Sequence, residues 1–460
     1  MDLFFYSQSE IRRRADLLPQ EIDAWTTIAN ANVNNFGIHR SQFEALKIMM
    51  DELLKQLTAS LDKLTVDLSG EKFAAQYLAT SDEIVGIQDL WQIFRHIFAQ
   101  RENENSKRAV DAADLIAADC YLTCMNRAKE WGLVAEQQFR EPPLTYFEAE
   151  ISPSTSERGK AVESLGFAVR RYRDMRLPIP IVLMPFDQIK SIWMFCNLHH
   201  EVGHNLDRDL NLREAFSSPL LTRMTNAGIA SERQKMWWKW SGEILADVFG
   251  IMLGGAGFAY ALCNWLLILS PAAGFQELDA QAVHPPFFVR ANLIAAMLEK
   301  LNIASLNPVA DVIKDELNKR QKPDWTTSYF ADCELIADVF LNSKLAVLGN
   351  RSVSEFNPEL ASDIQKTQLV ADCLSNNFGC PDPNFTSFPH RLVPVAAQIA
   401  VAKFDKPEKA QLDAVQNNAL KYLERINRPT FLPGISRNEF LRELSRKINL
   451  SRREEKKTDE

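Results

Sequence analysis

What this sequence most plainly lacks is a pair of cysteines in a CxxC unit. Its 460 residues contain seven cysteines, Cys120, Cys124, Cys196, Cys263, Cys333, Cys373 and Cys380. The odd number and scattered spacing leave cysteine-built zinc sites and thioredoxin-like chemistry without support. Most of the seven lie in apolar runs, where cysteine serves as a small hydrophobe. A reducing compartment, and so a cytoplasmic location, is the expectation. An excess of positive charge is also missing: 52 Lys and Arg stand against 60 Asp and Glu, a net charge of −8. That balance lacks the basic footprint of a general nucleic-acid binder. The one basic cluster, Arg170, Arg171, Arg173 and Arg176, is interrupted by Asp174 and reads as a solvated helix face. The start, MDLFFYSQSEIRRR, puts its positive charges after a four-residue apolar patch, the wrong order for a secretory signal. Apolar residues at 46% and charged residues at 24% exclude a collagen, a coiled-coil rod or a disordered chain.

What is present reads as α-rich. Length alone suggests two or three domains, or one large domain with extensions. Residues 1–135 form an expected N-terminal helical region. Ser41 with Glu44 resembles a capping box, followed by a helical stripe of Leu46, Met49, Met50, Leu53 and Leu57. A further helix is expected over about 107–131. The texture then changes. Residues 142–152 alternate and are rich in β-formers. Residues 176–186, RLPIPIVLMPF, form a second extended segment, which the prolines assign to a sheet edge. Asp187 reads as the N-cap of a long helix running to about 208. Helices are expected over 231–268 and 288–303, with a loop at 271–287. Residues 304–330 look like a connection. Helical texture continues through 304–450, broken by loops such as GCPDPNFTSFPH (379–390), and a charged tail fills 451–460. The uncharged run 248–270 is long enough for a bilayer. Its four glycines and the absence of a flanking basic cluster favour a buried core helix, with no membrane partner.

The chemistry concentrates at Leu198-His199-His200-Glu201-Val202-Gly203-His204. His200 and His204, at i and i+4, project from one helix face. Two imidazoles so placed can bind one zinc ion at about 2.0–2.1 Å each. Glu201, on a neighbouring face, can reach a water on that ion and act as general base. With seven histidines in the whole chain, chance gives this pattern in well under ~1 in 100 such sequences. On the next long helix Glu243 and Asp247 lie one turn apart. A catalytic zinc takes three protein ligands plus water, which makes Glu243 the third. Asp247 then accepts a hydrogen bond from the far ring nitrogen of a ligand histidine and fixes its tautomer. Ala246 between them is small, so the helix axes can approach.

These motifs resemble the gluzincins, zinc metallopeptidases with HExxH on one helix and ExxxD on a later one. His284-Pro285-Pro286-Phe287-Phe288-Val289-Arg290 further resembles the HPxxxxR element of the HtpX and CAAX-prenyl-protease group. The likeness spans roughly residues 178–300 and implies a zincin-like metallopeptidase core with a small sheet and edge strand over 136–303, flanked by helical regions. It also implies that His284 stabilises an oxyanion and that Arg290 supports the site. Members of that group often cross the membrane several times; this chain has one candidate helix, so the likeness is to a soluble, divergent version.

Rival assignments stay open at this level. Residues 334–340, ELIADVF, nearly repeat 243–249, EILADVF, so Glu334 and Asp338 offer the same spacing. Glu243 is preferred because it lies nearer the HExxH helix and the HPPxxxR element follows it. His199 sits about 100° around the helix from His200 and reads as a non-ligand lining the cleft. His39, His96 and His390 are isolated and read as structural. Trp237, Trp238 and Trp240 read as packing residues. The resulting expectation is a cytoplasmic zinc peptidase acting on a peptide or protein. The alternative is a catalytically silent zincin-fold regulatory protein, which the intact Glu201 disfavours.

Overall fold

Helical periodicity over the first hundred residues gives three long helices, α1 (Leu3–Ala31), α2 (Arg40–Asp62) and α3 (Gly70–Ala99). They belong to a computed structural model that describes residues 3–31, 39–64, 70–135, 140–269, 278–375, 388–404 and 406–426. The expected stripe Leu46, Met49, Met50, Leu53 and Leu57 is the buried face of α2. The Ser41–Glu44 capping box does not form. The helix begins two residues earlier, with His39 as N-cap, and Glu44 accepts from Arg40 instead. Helix α4 (Lys107–Glu130) matches its expected limits.

A three-stranded sheet follows, with β1 (Leu144–Glu148), β2 (Ser154–Ser156) and β3 (Ile181–Pro185) in the order β1-β3-β2. β3 runs parallel to β1 and antiparallel to β2. The segment expected at an edge is therefore the central strand. Its prolines explain why this is allowed: Pro178 and Pro180 precede the strand and Pro185 closes it, so Ile181–Met184 keep their ladder donors. The edge strands are β1 and β2. The pleat sorts the side chains. Leu144, Tyr146, Ile181 and Leu183 join the core of α1–α3, while Phe147, Val182 and Met184 face a larger helical body. Arg170, Arg171, Arg173 and Arg176 are exposed as expected but lie on loop and bridge backbone, not on a helix.

After β3 the chain makes two 3-10 turns, Phe186–Lys190 and Ile192–Cys196, before α5 (Asn197–Leu210) begins. The helix expected from Asp187 thus starts ten residues later. Then come α6 (Leu212–Asn226), α7 (Ser231–Lys239) and α8 (Ser241–Leu269). The apolar run lies in α8, the one helix among the described residues long and apolar enough to cross a membrane, and 94% of its apolar window is buried inside the protein. Helix α8 kinks at Gly255, whose φ of 51° and ψ of −132° only glycine adopts without strain. Asn357 donates to the Met252 carbonyl just before the kink, at 2.8 Å.

The remaining described elements include α9 (Phe287–Lys300), α10 (Asn307–Asn318), α11 (Thr326–Asn342), α12 (Leu360–Ser375), α13 (Val393–Ala402) and α14 (Lys409–Arg425). The expected connection at 304–330 contains α10, whose buried Val309, Ala310, Ile313 and Leu317 supply an apolar face. Residues 271–277 and 379–387 of the expected loops, and the tail 451–460, lie outside the described residues. The chain is thus mostly helical with one small mixed sheet.

Candidate metal centre

Helices α5 and α8 cross at their small residues. A Cβ added at Gly203 would stand 2.9 Å from both the Cα and the carbonyl oxygen of Ala246. That approach brings side chains on the two helices within reach of one ion. His200 Nε2 and His204 Nε2 are 3.2 Å apart. Glu243 Oε2 lies 3.4 Å from His200 Nε2, and Oε1 lies 3.5 Å from His204 Nε2. His200, His204 and Glu243 are a group that could hold a metal ion. Glu243 Oε2 is buried and makes no hydrogen bond, although a buried carboxylate oxygen is costly to leave unpaired. A cation at the centre of the three would meet that need.

Behind this group, buried charges hold its side chains in place. Asp247 Oδ1 lies 2.8 Å from His200 Nδ1, which leaves Nε2 facing the site. Arg290 from α9 grips Asp247 with two bonds, Nε to Oδ2 at 2.8 Å and a terminal nitrogen to Oδ1 at 2.7 Å. The guanidinium also stands 3.8 Å from Glu243 Oε2. The aromatic ring of Phe258, carried back by the kink at Gly255, stacks parallel to His200 at 6.4 Å. Its packing and the Asp247 bond fix the imidazole from two directions.

The electrostatics follow from burial and these neighbours. Burial opposes a charge on His200, but the Asp247 carboxylate outweighs it and lifts the imidazole to about 10 in the metal-free protein. His204 is depressed to about 4 by burial and by the charge on His200. Burial works against ionising Glu243 and Asp247, yet the facing histidines and Arg290 hold both below the usual carboxylate range. Glu201 goes the other way. Burial raises it to about 7, with Glu243 adding repulsion.

His284 lies in the loop before α9, its side chain 58% exposed, with Nε2 3.2 Å from Glu243 Oε2. The duplicate pair is elsewhere. Glu334 is 74% exposed and meets Lys300, and Asp338 bonds Arg223 at 2.8 Å. His199 does not line the cleft. It is fully buried, with its ring nitrogens 2.7 Å from the Cys196 carbonyl and 2.8 Å from that of Arg391. His39 is buried against Asp114 and Gln42, His390 is buried, and His96 is an exposed neighbour of Glu148. Trp237 and Trp240 are buried and packed edge to face.

Sequence reading missed Asn205. One turn after Glu201, it donates to Thr155 Oγ1 at 2.9 Å and to the Glu201 carbonyl at 2.9 Å. This ties the edge strand β2 to the HExxH helix. Its position four residues after Glu201 was a readable signal; its partner on β2 was not. Comparison with protein-family models, curated proteins and solved structures finds no match.

Proposed function

We propose that the chain is a zinc-dependent peptidase with Glu201 as general base. The observation that carries this is the convergence of three donor groups: the two Nε2 atoms are 3.2 Å apart, one Glu243 oxygen is 3.4 Å from His200 and the other is 3.5 Å from His204. A tetrahedral zinc with bonds of about 2.0–2.1 Å needs donors roughly 3.3–3.4 Å apart. Two neutral nitrogens and one carboxylate are also the donor types zinc prefers. When bound, zinc supplies Lewis acidity, polarising a carbonyl and making a water more acidic.

The protein's own residues supply the rest. Glu201, raised to about 7, is poised to take a proton from the attacking water and return one to the leaving amine near neutral pH. His284, beside Glu243, donates to the oxyanion that develops on the substrate. Arg290 and Asp247 orient His200 and do not touch substrate. The outer edge of β2, held against α5 by Asn205, offers backbone groups to an extended peptide. The resemblance to the gluzincins agrees with these roles.

The test is metal content and peptide-library cleavage for wild type and Glu201→Gln, each with and without a chelator. The expectation is one zinc per chain in both, chelator-sensitive cleavage by wild type, and a loss of about 10²–10⁴-fold in the variant. Equal cleavage by both would remove Glu201 as base. A protein that retains no zinc would overturn the reading altogether.

A further inference from the structure

His284 is more than half exposed and belongs to a segment without secondary structure, yet its Nε2 stands 3.2 Å from Glu243. Something must hold that segment. On its C-terminal side, Pro285 and Pro286 lead into α9, and α9 is anchored by the Arg290–Asp247 pair. On its N-terminal side the described residues show two side-chain tethers, both from the turn that precedes Glu243. Lys239 Nζ donates to the Ala280 carbonyl at 2.7 Å, and Trp240 Nε1 donates to the Ala282 carbonyl at 3.3 Å. Asp279 tightens the same segment, accepting from Gln281 N–H at 2.7 Å through its side chain and from Ala282 N–H at 3.1 Å through its carbonyl. Trp240 cannot drift, because it is fully buried between Trp237 and Tyr329, with ring centroids at 5.4 and 5.5 Å. Lys239 is the last residue of α7, and Trp240 lies three residues before Glu243. One stretch of chain therefore carries both the carboxylate of the metal group and the tethers of the segment that brings His284 to it.

We propose that Lys239 and Trp240 are positioning residues for His284, acting through the backbone carbonyls of Ala280 and Ala282. The catalytic consequence rests on the reading of His284 as the oxyanion donor, whereas the tether itself does not. Each tether is a single side-chain donor to a main-chain carbonyl, so removing the donor frees the segment while leaving the metal group intact.

The test uses the full chain in metal-free form and measures carbethoxylation of His284 by diethylpyrocarbonate, read by peptide mass spectrometry. The exposed His96 serves as internal control. Lys239→Met and Trp240→Phe remove the donors and keep the bulk. Each is expected to speed modification of His284 by roughly 2- to 10-fold, the equilibrium weight of one net hydrogen bond, with His96 unchanged. Lys239→Arg, which can still donate, is expected to restore the wild-type rate. Unchanged modification of His284 in both donor-less variants would overturn the proposal, as would an equal rise in Lys239→Arg. If Trp240→Phe fails to fold, judged by circular dichroism, the two lysine variants decide. In zinc-loaded protein the same variants should keep their zinc and lose about tenfold or more in kcat with KM little changed. A wild type that cleaves nothing would sink the peptidase reading, and the modification rates would still decide the tether.

Discussion

Gly203 and Ala246 meet backbone to backbone where α5 crosses α8, with no room for a single added carbon. Gly203→Ala must therefore push the helices apart or shift the neighbouring Phe249, whose Cβ would lie 3.1 Å from the new methyl. Overpacking of this kind costs about 1–3 kcal/mol. Because His200 and His204 ride on one helix and Glu243 on the other, the same substitution should weaken metal binding. Urea unfolding and a zinc titration check both; a variant as stable and as tight as wild type would show that the crossing has slack.

Zinc should stabilise the folded chain by mass action, by about 4 kcal/mol at a thousandfold excess over its dissociation constant. Thermal melts with and without zinc read this directly. Glu243→Gln should abolish most of the shift. Glu334→Gln, on an exposed residue that meets Lys300, should behave as wild type. The opposite result would move the third ligand to α11.

Asp247 is fully buried between His200 and Arg290. Asp247→Asn keeps the shape but removes the charge, and should lower metal affinity about 10–100-fold. Arg290→Met removes one of the two buried cations that face Asp247 and should cost up to about 3–5 kcal/mol. Denaturant midpoints and competitive chelator titrations separate the two effects. A loss of metal affinity in Asp247→Asn below threefold, well under the expected range, would count against the orienting role.

His200 should make metal binding depend on pH. Its imidazole is raised from 6.5 to about 10 in the metal-free chain, burial opposing the charge and Asp247 prevailing. A raised histidine stabilises the metal-free fold fully below its unfolded value, and that contribution is lost as pH rises through about 10. A metal ion must displace this proton, so affinity should increase with pH across the neutral range. Calorimetry at pH 7 in buffers of different ionisation enthalpy should find about one proton released per ion. No release would mean that His200 is already neutral.

Much of the centre was legible because it is local. The i, i+4 spacing of His200 and His204, and of Glu243 and Asp247, fixes which side chains share a helix face whatever surrounds them. Ala246 announced a close crossing by size alone, and its partner Gly203 came from the structure. The errors fell where neighbours decide. Pro178, Pro180 and Pro185 look forbidding in the segment 176–186, yet they flank the ladder and β3 is central. Asp187 looks like a helix start, but the chain makes 3-10 turns until Asn197. Residues 304–330 read as polar, and α10 still finds an apolar face to bury.

The sequence by itself singled out residues that could hold a cation, because ligand chemistry and helical spacing are properties of short segments. It also determined that α8 is uncharged from Val248 onward. The sequence preferred Glu243 to Glu334 on position alone; only the tertiary structure set Glu243 beside His200 and His204, because near-identical heptapeptides are separated by what packs around them. It alone tied Arg290 to Asp247, Asn205 to Thr155, and Lys239 and Trp240 to the segment before His284. Those pairs lie from 41 to 50 residues apart in the chain. No local rule spans such distances; burial selects them, because a polar group removed from water must find whichever partner the fold brings near.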